Sequence, residues 1–204
     1  MADRARAVAG ALGVVTLTTA WVSAGVVTDG FDPVRQSISQ LQRDGTTTGV
    51  VMTAAFAAFA TGGLLLAPVL DRRLGRTPAL ALVLASLATY GAALSPLGEV
   101  RGGPQDVVHL AFGSTGYVSL SVLPLLACRH LQGRARTASY VLGAVASTCL
   151  LGTVPAESVS GALQRVGFLA GHLWLLGFAV GVLRQPQAAS IAAAPSRWRG
   201  SRSA

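Results

Sequence analysis

The stretch Thr47–Leu70, TTGVVMTAAFAAFATGGLLLAPVL, carries no charged side chain and is followed at once by Asp71-Arg72-Arg73. A helix needs about 20 apolar residues to cross roughly 30 Å of hydrocarbon, so the segment reads as a membrane span. It is too long and too continuous for the alternating strands of a barrel, and a helix satisfies its own backbone in lipid. Outward from it, comparable apolar stretches run over 8–28, 78–97, 106–128, 136–155 and 162–183. The expected fold is all-α: an integral membrane bundle of six transmembrane helices occupying 1–184, with 185–204 as a disordered, arginine-containing cytoplasmic tail.

The charges alternate with these segments. With the N-terminus in the cytoplasm, the inner side holds Arg4, Arg6, Arg72, Arg73, Arg76, Arg129, Arg134, Arg136, Arg184, Arg197, Arg199 and Arg202, against Asp3 and Asp71. The outer side holds Arg35, Arg43, Arg101 and Arg165, against Asp29, Asp32, Asp44, Glu99, Asp106 and Glu157. The positive-inside rule therefore places both termini in the cytoplasm. The net charge of +8 resides in short loops and the tail, so it points to lipid head groups and not to nucleic acid. Every one of the 16 basic residues is arginine, a composition expected of a GC-rich bacterial genome. The expected location is the bacterial inner membrane. Cys128 and Cys149 fall at different depths, too far apart for a disulfide. The first segment also resembles a secretory signal ending at Val22-Ser23-Ala24, but its apolar run exceeds the usual ~7–15 residues, and keeping it gives an even helix count.

The first outer loop is unusual. Asp32-Pro33 looks like a helix start, and Val34, Ile38 and Leu41 recur at helical spacing, so the pattern predicts a short amphipathic helix over 33–43, ended by Gly45. Two later stretches echo one another: Gln105-x-Val107-x-x-Leu110-Ala111 and Gln164-x-Val166-x-x-Leu169-Ala170. Duplication of a hairpin and chance both account for this. The sixth span carries Gly167-x-x-x-Gly171 and Gly177-x-x-x-Gly181, which suit either a contact within the bundle or an oligomer face.

Polar groups at membrane depth are costly and therefore informative. Asp106 and His109 share a helix face. Either the carboxylate orients the imidazole as a general base or relay, or Asp106 caps its helix and His109 bonds a neighbour. Asp32 and Glu157 are further candidate catalytic carboxylates. Arg35 and Arg101 are candidates to clamp a lipid phosphate or carboxylate, or else pair with Asp32 and Glu99. Glu99, Ser39, Arg165, His172 and Trp174 complete the candidate ligand-binding set. His130 reads as a solvated inner-loop residue. Ser37 and Ser39 lack a nucleophile elbow. His109 and His172 lie at different depths and no HxxxH or HExxH occurs, so neither a metal site nor bis-histidine haem is expected. No cofactor motif is present: neither a Walker sequence, a dinucleotide fingerprint nor Cys-x-x-Cys.

The stretch Phe31-Asp32-Pro33-Val34-Arg35-Gln36-Ser37-Ile38-Ser39-Gln40-Leu41 resembles the signature loop of the bacterial membrane family called domain of unknown function 998. Ser95-Pro96, His109, Leu163, Arg165 and Trp174 fit the same layout, and the resemblance spans about 8–184. Many members carry a histidine where this chain has Gln105, and an Asp after the proline where it has Leu97-Gly98-Glu99. The resemblance implies six helices and no established activity. The expected function is binding of an amphiphile, lipid or isoprenoid-like, in an outward-facing polar pocket roofed by 33–43. The alternatives are an intramembrane enzyme, such as a cyclase or hydrolase acting by acid/base chemistry on such a lipid, and a small transporter. Membrane lipid is the expected partner.

Overall fold

The computed structural model describes residues 1–98 and 102–185. It is all-helical in that range, with α1 Ala2–Val27, α2 Thr47–Leu74, α3 Arg76–Leu94, α4 Pro104–Ala127, α5 Gly133–Gly152 and α6 Ser160–Arg184. Each helix packs on its neighbour in sequence, and α6 closes the bundle against α1 and α4. The connections α1–α2, α3–α4 and α5–α6 gather at one end, here the loop end. The start of α1 and the end of α6 lie at the other, here the terminal end: Arg4 Nη2 donates to the Leu183 and Gln185 carbonyls at 3.1 and 3.0 Å.

Small residues set how closely the helices approach. A Cβ on Gly13 would lie 2.8 Å from the Ala58 carbonyl, and one on Gly62 2.6 Å from that of Ala9, so α1 and α2 cross almost backbone on backbone. Such contact is what drives helix association where lipid is as apolar as leucine. Leu12, Val26, Leu94, Leu110, Leu151 and Leu173 are exposed on the bundle surface. In water they would be a liability; in a bilayer they face acyl chains.

Five helices are long and apolar enough to cross a membrane, and α5 is not among them. Its polar content explains the shortfall: Arg134, Arg136, Thr137, Ser139, Ser147 and Thr148. Topology nevertheless makes it a full-length member of the bundle. Both α4 and α6 start at the loop end, so α5 must return from the end of one to the start of the other, and its 20 residues extend about 30 Å. Ser139 Oγ donates to the Pro124 carbonyl of α4 at 2.7 Å and accepts from Trp174 Nε1 of α6 at 2.7 Å, so this buried serine ties α5 to both neighbours.

The amphipathic helix expected over 33–43 is replaced by a turn at 33–35 and a 3-10 helix over Ile38–Leu41, separated by extended Ser37. The cause is competition for backbone groups. Asp32 Oδ1 accepts from the Val34 and Arg35 amides, while the Val34 carbonyl accepts from the Ala162 amide and the Ile38 amide donates to Gln164 Oε1. A helix would join the Val34 carbonyl to the Ile38 amide, and α6 takes both, while the Asp32 contacts alone are those of a helix start. Cys128 and Cys149 are both free.

Candidate functional site

The loop end is stitched together by side chains that bond to backbone. Arg165, early in α6, places Nη1 2.7 Å from the Pro33 carbonyl and 2.8 Å from those of Gln36 and Gly161. Its guanidinium lies 5.6 Å from the Trp21 ring centre and 5.2 Å from that of Phe31. Gly161 makes the approach possible, since a Cβ there would meet the Gln36 carbonyl oxygen at 2.3 Å. Asp32 and Gln36 brace each other: the Gln36 amide donates to the Asp32 carbonyl at 2.8 Å, and the Asp32 amide to Gln36 Oε1 at 2.9 Å. Gln42 is fully buried and its Nε2 reaches Thr53 Oγ1 and the Ala92 and Ala93 carbonyls, tying the loop to α2 and the end of α3. The Leu97 amide donates to the Gln42 carbonyl, and the Asp44 amide to the Leu97 carbonyl, joining two connections side by side.

Beneath this cover lies a cavity of about 530 Å³. Its body is aromatic and apolar, with Trp21, Phe56, Phe59, Phe112, Tyr117 and Phe168 on the walls. Ser37, Ser39, His109, Thr153, Ser160 and Gln164 line it at the loop end, while Thr89, Ser114 and the Tyr117 hydroxyl are the polar groups of its body. On one side it is bounded by Gly113, Ser114 and Val118 of α4 and by Leu151 and Val154 beyond and at the end of α5. Leu151 and Val154 are exposed on the bundle surface, so the space opens sideways between α4 and α5. Small residues at Gly113 and Gly116, one and two turns below His109, leave room for it.

His109 is the one candidate catalytic residue on this cavity. It is buried, and Nδ1 lies 2.7 Å from the Ser95 carbonyl. A carbonyl only accepts, so Nδ1 carries the proton in this contact. Asp106 does not hold it. Its Oδ1 accepts from the Gly98 amide at 2.9 Å and its Oδ2 from the Gly102 amide at 2.8 Å, which folds the α3–α4 connection. Asp32 is likewise spent on its own turn, and Glu157 is exposed at the start of a 3-10 turn before α6. Glu99 and Arg101 lie outside the described residues.

The candidate binding residues separate. Ser39 reaches the cavity, its hydroxyl 2.9 Å from that of Ser37. Arg35 is exposed on the outer side of the turn and does not line the cavity. Arg165 is a structural clamp. His172 is buried below the cavity, with Nδ1 2.9 Å from Thr18 Oγ1 and its ring packed on Phe59 and Phe168, which separate it from the space. Trp174 belongs to the other end, bonded to Ser139. Sequence reasoning passed over the aromatic walls. Among them, Tyr117 stacks on Phe168 at 4.7 Å and its hydroxyl occupies the space a Cβ on Gly167 would need, contacts that only the fold creates.

Residues 9–181 match the model of a family described as "Protein of unknown function (DUF998)". The chain belongs to this family. The match reaches into all six helices and takes in the stitched loop. No curated protein and no solved structure matches it.

Proposed function

We propose that this DUF998 protein binds an amphiphile, a lipid or isoprenoid-like molecule, in the loop-end cavity. The observation that carries the proposal is the division of one space into an aromatic body and a polar end. Some 530 Å³ is within the usual range for a small-molecule site. The apolar part of the guest would enter sideways from the bilayer between α4 and α5. Its head would lie under the loop, near Ser37, Ser39, Gln164 and His109. Arg35 has no part in this site. The arginine distribution supports a site that faces the outer leaflet of a bacterial inner membrane.

Acid-catalysed chemistry gains no support from the same geometry, because among the described residues no carboxylate lines the cavity. The test is mass spectrometry of the full chain extracted in mild detergent, with solvent extraction of retained molecules. Gly113→Phe is the decisive variant, since Gly113 lines the cavity and a Cβ there meets nothing within 4 Å. The wild type is expected to retain one amphiphile per chain, and Gly113→Phe to retain under about a tenth of it with unchanged thermal stability. Equal retention by both proteins overturns the proposal.

A further inference from the structure

A second cavity, of about 650 Å³, lies at the terminal end between α5 and α6. Its walls are apolar, with Leu142 of α5 and Leu173, Gly177 and Gly181 of α6. The polar atoms at its floor are already paired, Trp174 Nε1 with Ser139 Oγ and Ser139 Oγ with the Pro124 carbonyl. An apolar guest would therefore strand no hydrogen-bonding group there. The rim is different. Arg73 comes from the end of α2, its Nη1 donating to Gln185 Oε1, and His130 lies against Gly75. Arg72, Arg76, Arg129, Arg134 and Arg136 surround the same end in sequence, against Asp71 and an Asp3 already paired with Arg72.

We propose that this cavity holds an acyl chain of an anionic phospholipid from the leaflet at the terminal end, with the phosphate on Arg73 and His130. A guanidinium is suited to a phosphate by its planar fork of donors. Charge decides between occupants. A second copy seated on Gly177 and Gly181 about a twofold axis would set its own Arg73 near this one, whereas a phosphate neutralises the rim. Gly167 and Gly171, by contrast, are covered within the chain, by Tyr117 and Cys149 and by Leu120. The site shares no wall residue with the loop-end cavity, so either proposal stands or falls alone.

The experiment is native mass spectrometry of the full chain released from nanodiscs made of equal phosphatidylglycerol and phosphatidylcholine with matched acyl chains. The wild type is expected to keep phosphatidylglycerol in preference. Arg73→Gln should lower that preference about tenfold, the weight of one charge-assisted hydrogen bond. Gly177→Leu should fold, since a Cβ there meets nothing within 4 Å, and should lose the retained lipid. His130→Gln, at an exposed position, gives a second reading of the rim. No preference in the wild type, a preference that survives Arg73→Gln and Gly177→Leu, or a dimer that Gly177→Leu dissolves would each overturn the proposal.

Discussion

Arg165 reaches from early α6 across Trp21 and Phe31 to the carbonyls of Pro33 and Gln36, and one side chain thereby joins three parts of the chain. Lysine keeps the charge but offers a point donor on a flexible stem in place of a fork. Arg165→Lys is expected to cost about 2 kcal/mol, read as a lower thermal midpoint in detergent. In a background with both native cysteines replaced, it should also speed maleimide labelling of Ser37→Cys, because the loop then lifts from α6. Unchanged midpoint and labelling would show that the clamp holds nothing. In the sequence Arg165 reads as a candidate ligand-binding residue on the outer side. Its partners are backbone carbonyls, which no residue pattern advertises. His172 raised the same difficulty: its position demanded a partner, and the fold supplied Thr18 of α1, far away in sequence.

At the scale of elements, helix patterning located all six helices to within a few residues, yet it misjudged the loop. Val34, Ile38 and Leu41 have helical spacing, and Ile38 and Leu41 are buried as that spacing demands. The amides and carbonyls between them are nevertheless taken by α6, and a segment this short has no propensity strong enough to resist. The echo between Gln105 and Gln164 acquires a physical counterpart. Each glutamine grips a connection at the loop end, Gln105 by donating to the Pro96 carbonyl at 2.8 Å and Gln164 by accepting from the Ile38 amide at 2.7 Å. Two expectations belong here. Ser139→Ala leaves buried Trp174 Nε1 without its acceptor and should cost about 1–3 kcal/mol, measured by thermal unfolding followed through tryptophan fluorescence. The purified protein should retain α1, because Leu17 and Trp21 line the cavity and Thr18 holds His172; intact mass and N-terminal peptide mapping check this.

For the whole molecule, the two ends differ in charge and in what they enclose. The loop end covers a cavity with polar groups beneath the loop, and the terminal end carries most of the arginines around a cavity with a cationic rim. The arginine asymmetry predicts that the loop end faces outward. A membrane-impermeant maleimide should therefore label Arg35→Cys in intact spheroplasts, and should label Arg76→Cys only after lysis, in a background with both native cysteines replaced. The reverse pattern would invert the orientation and move both proposed ligands to the opposite leaflets.

Sequence alone determined the helices, because crossing hydrocarbon imposes length and apolarity on each segment separately, before any of them meet. It also determined that polar residues would collect toward one end. What those residues do was decided only by tertiary packing. Asp32, Asp106 and Arg165 stand where catalytic or binding groups were sought, and the fold spends them on loop amides and carbonyls that would otherwise be unpaired near lipid. The cavities, too, exist only between helices. Their walls are ordinary apolar side chains and glycines, whose separate positions in the chain carry no mark of the space they jointly enclose.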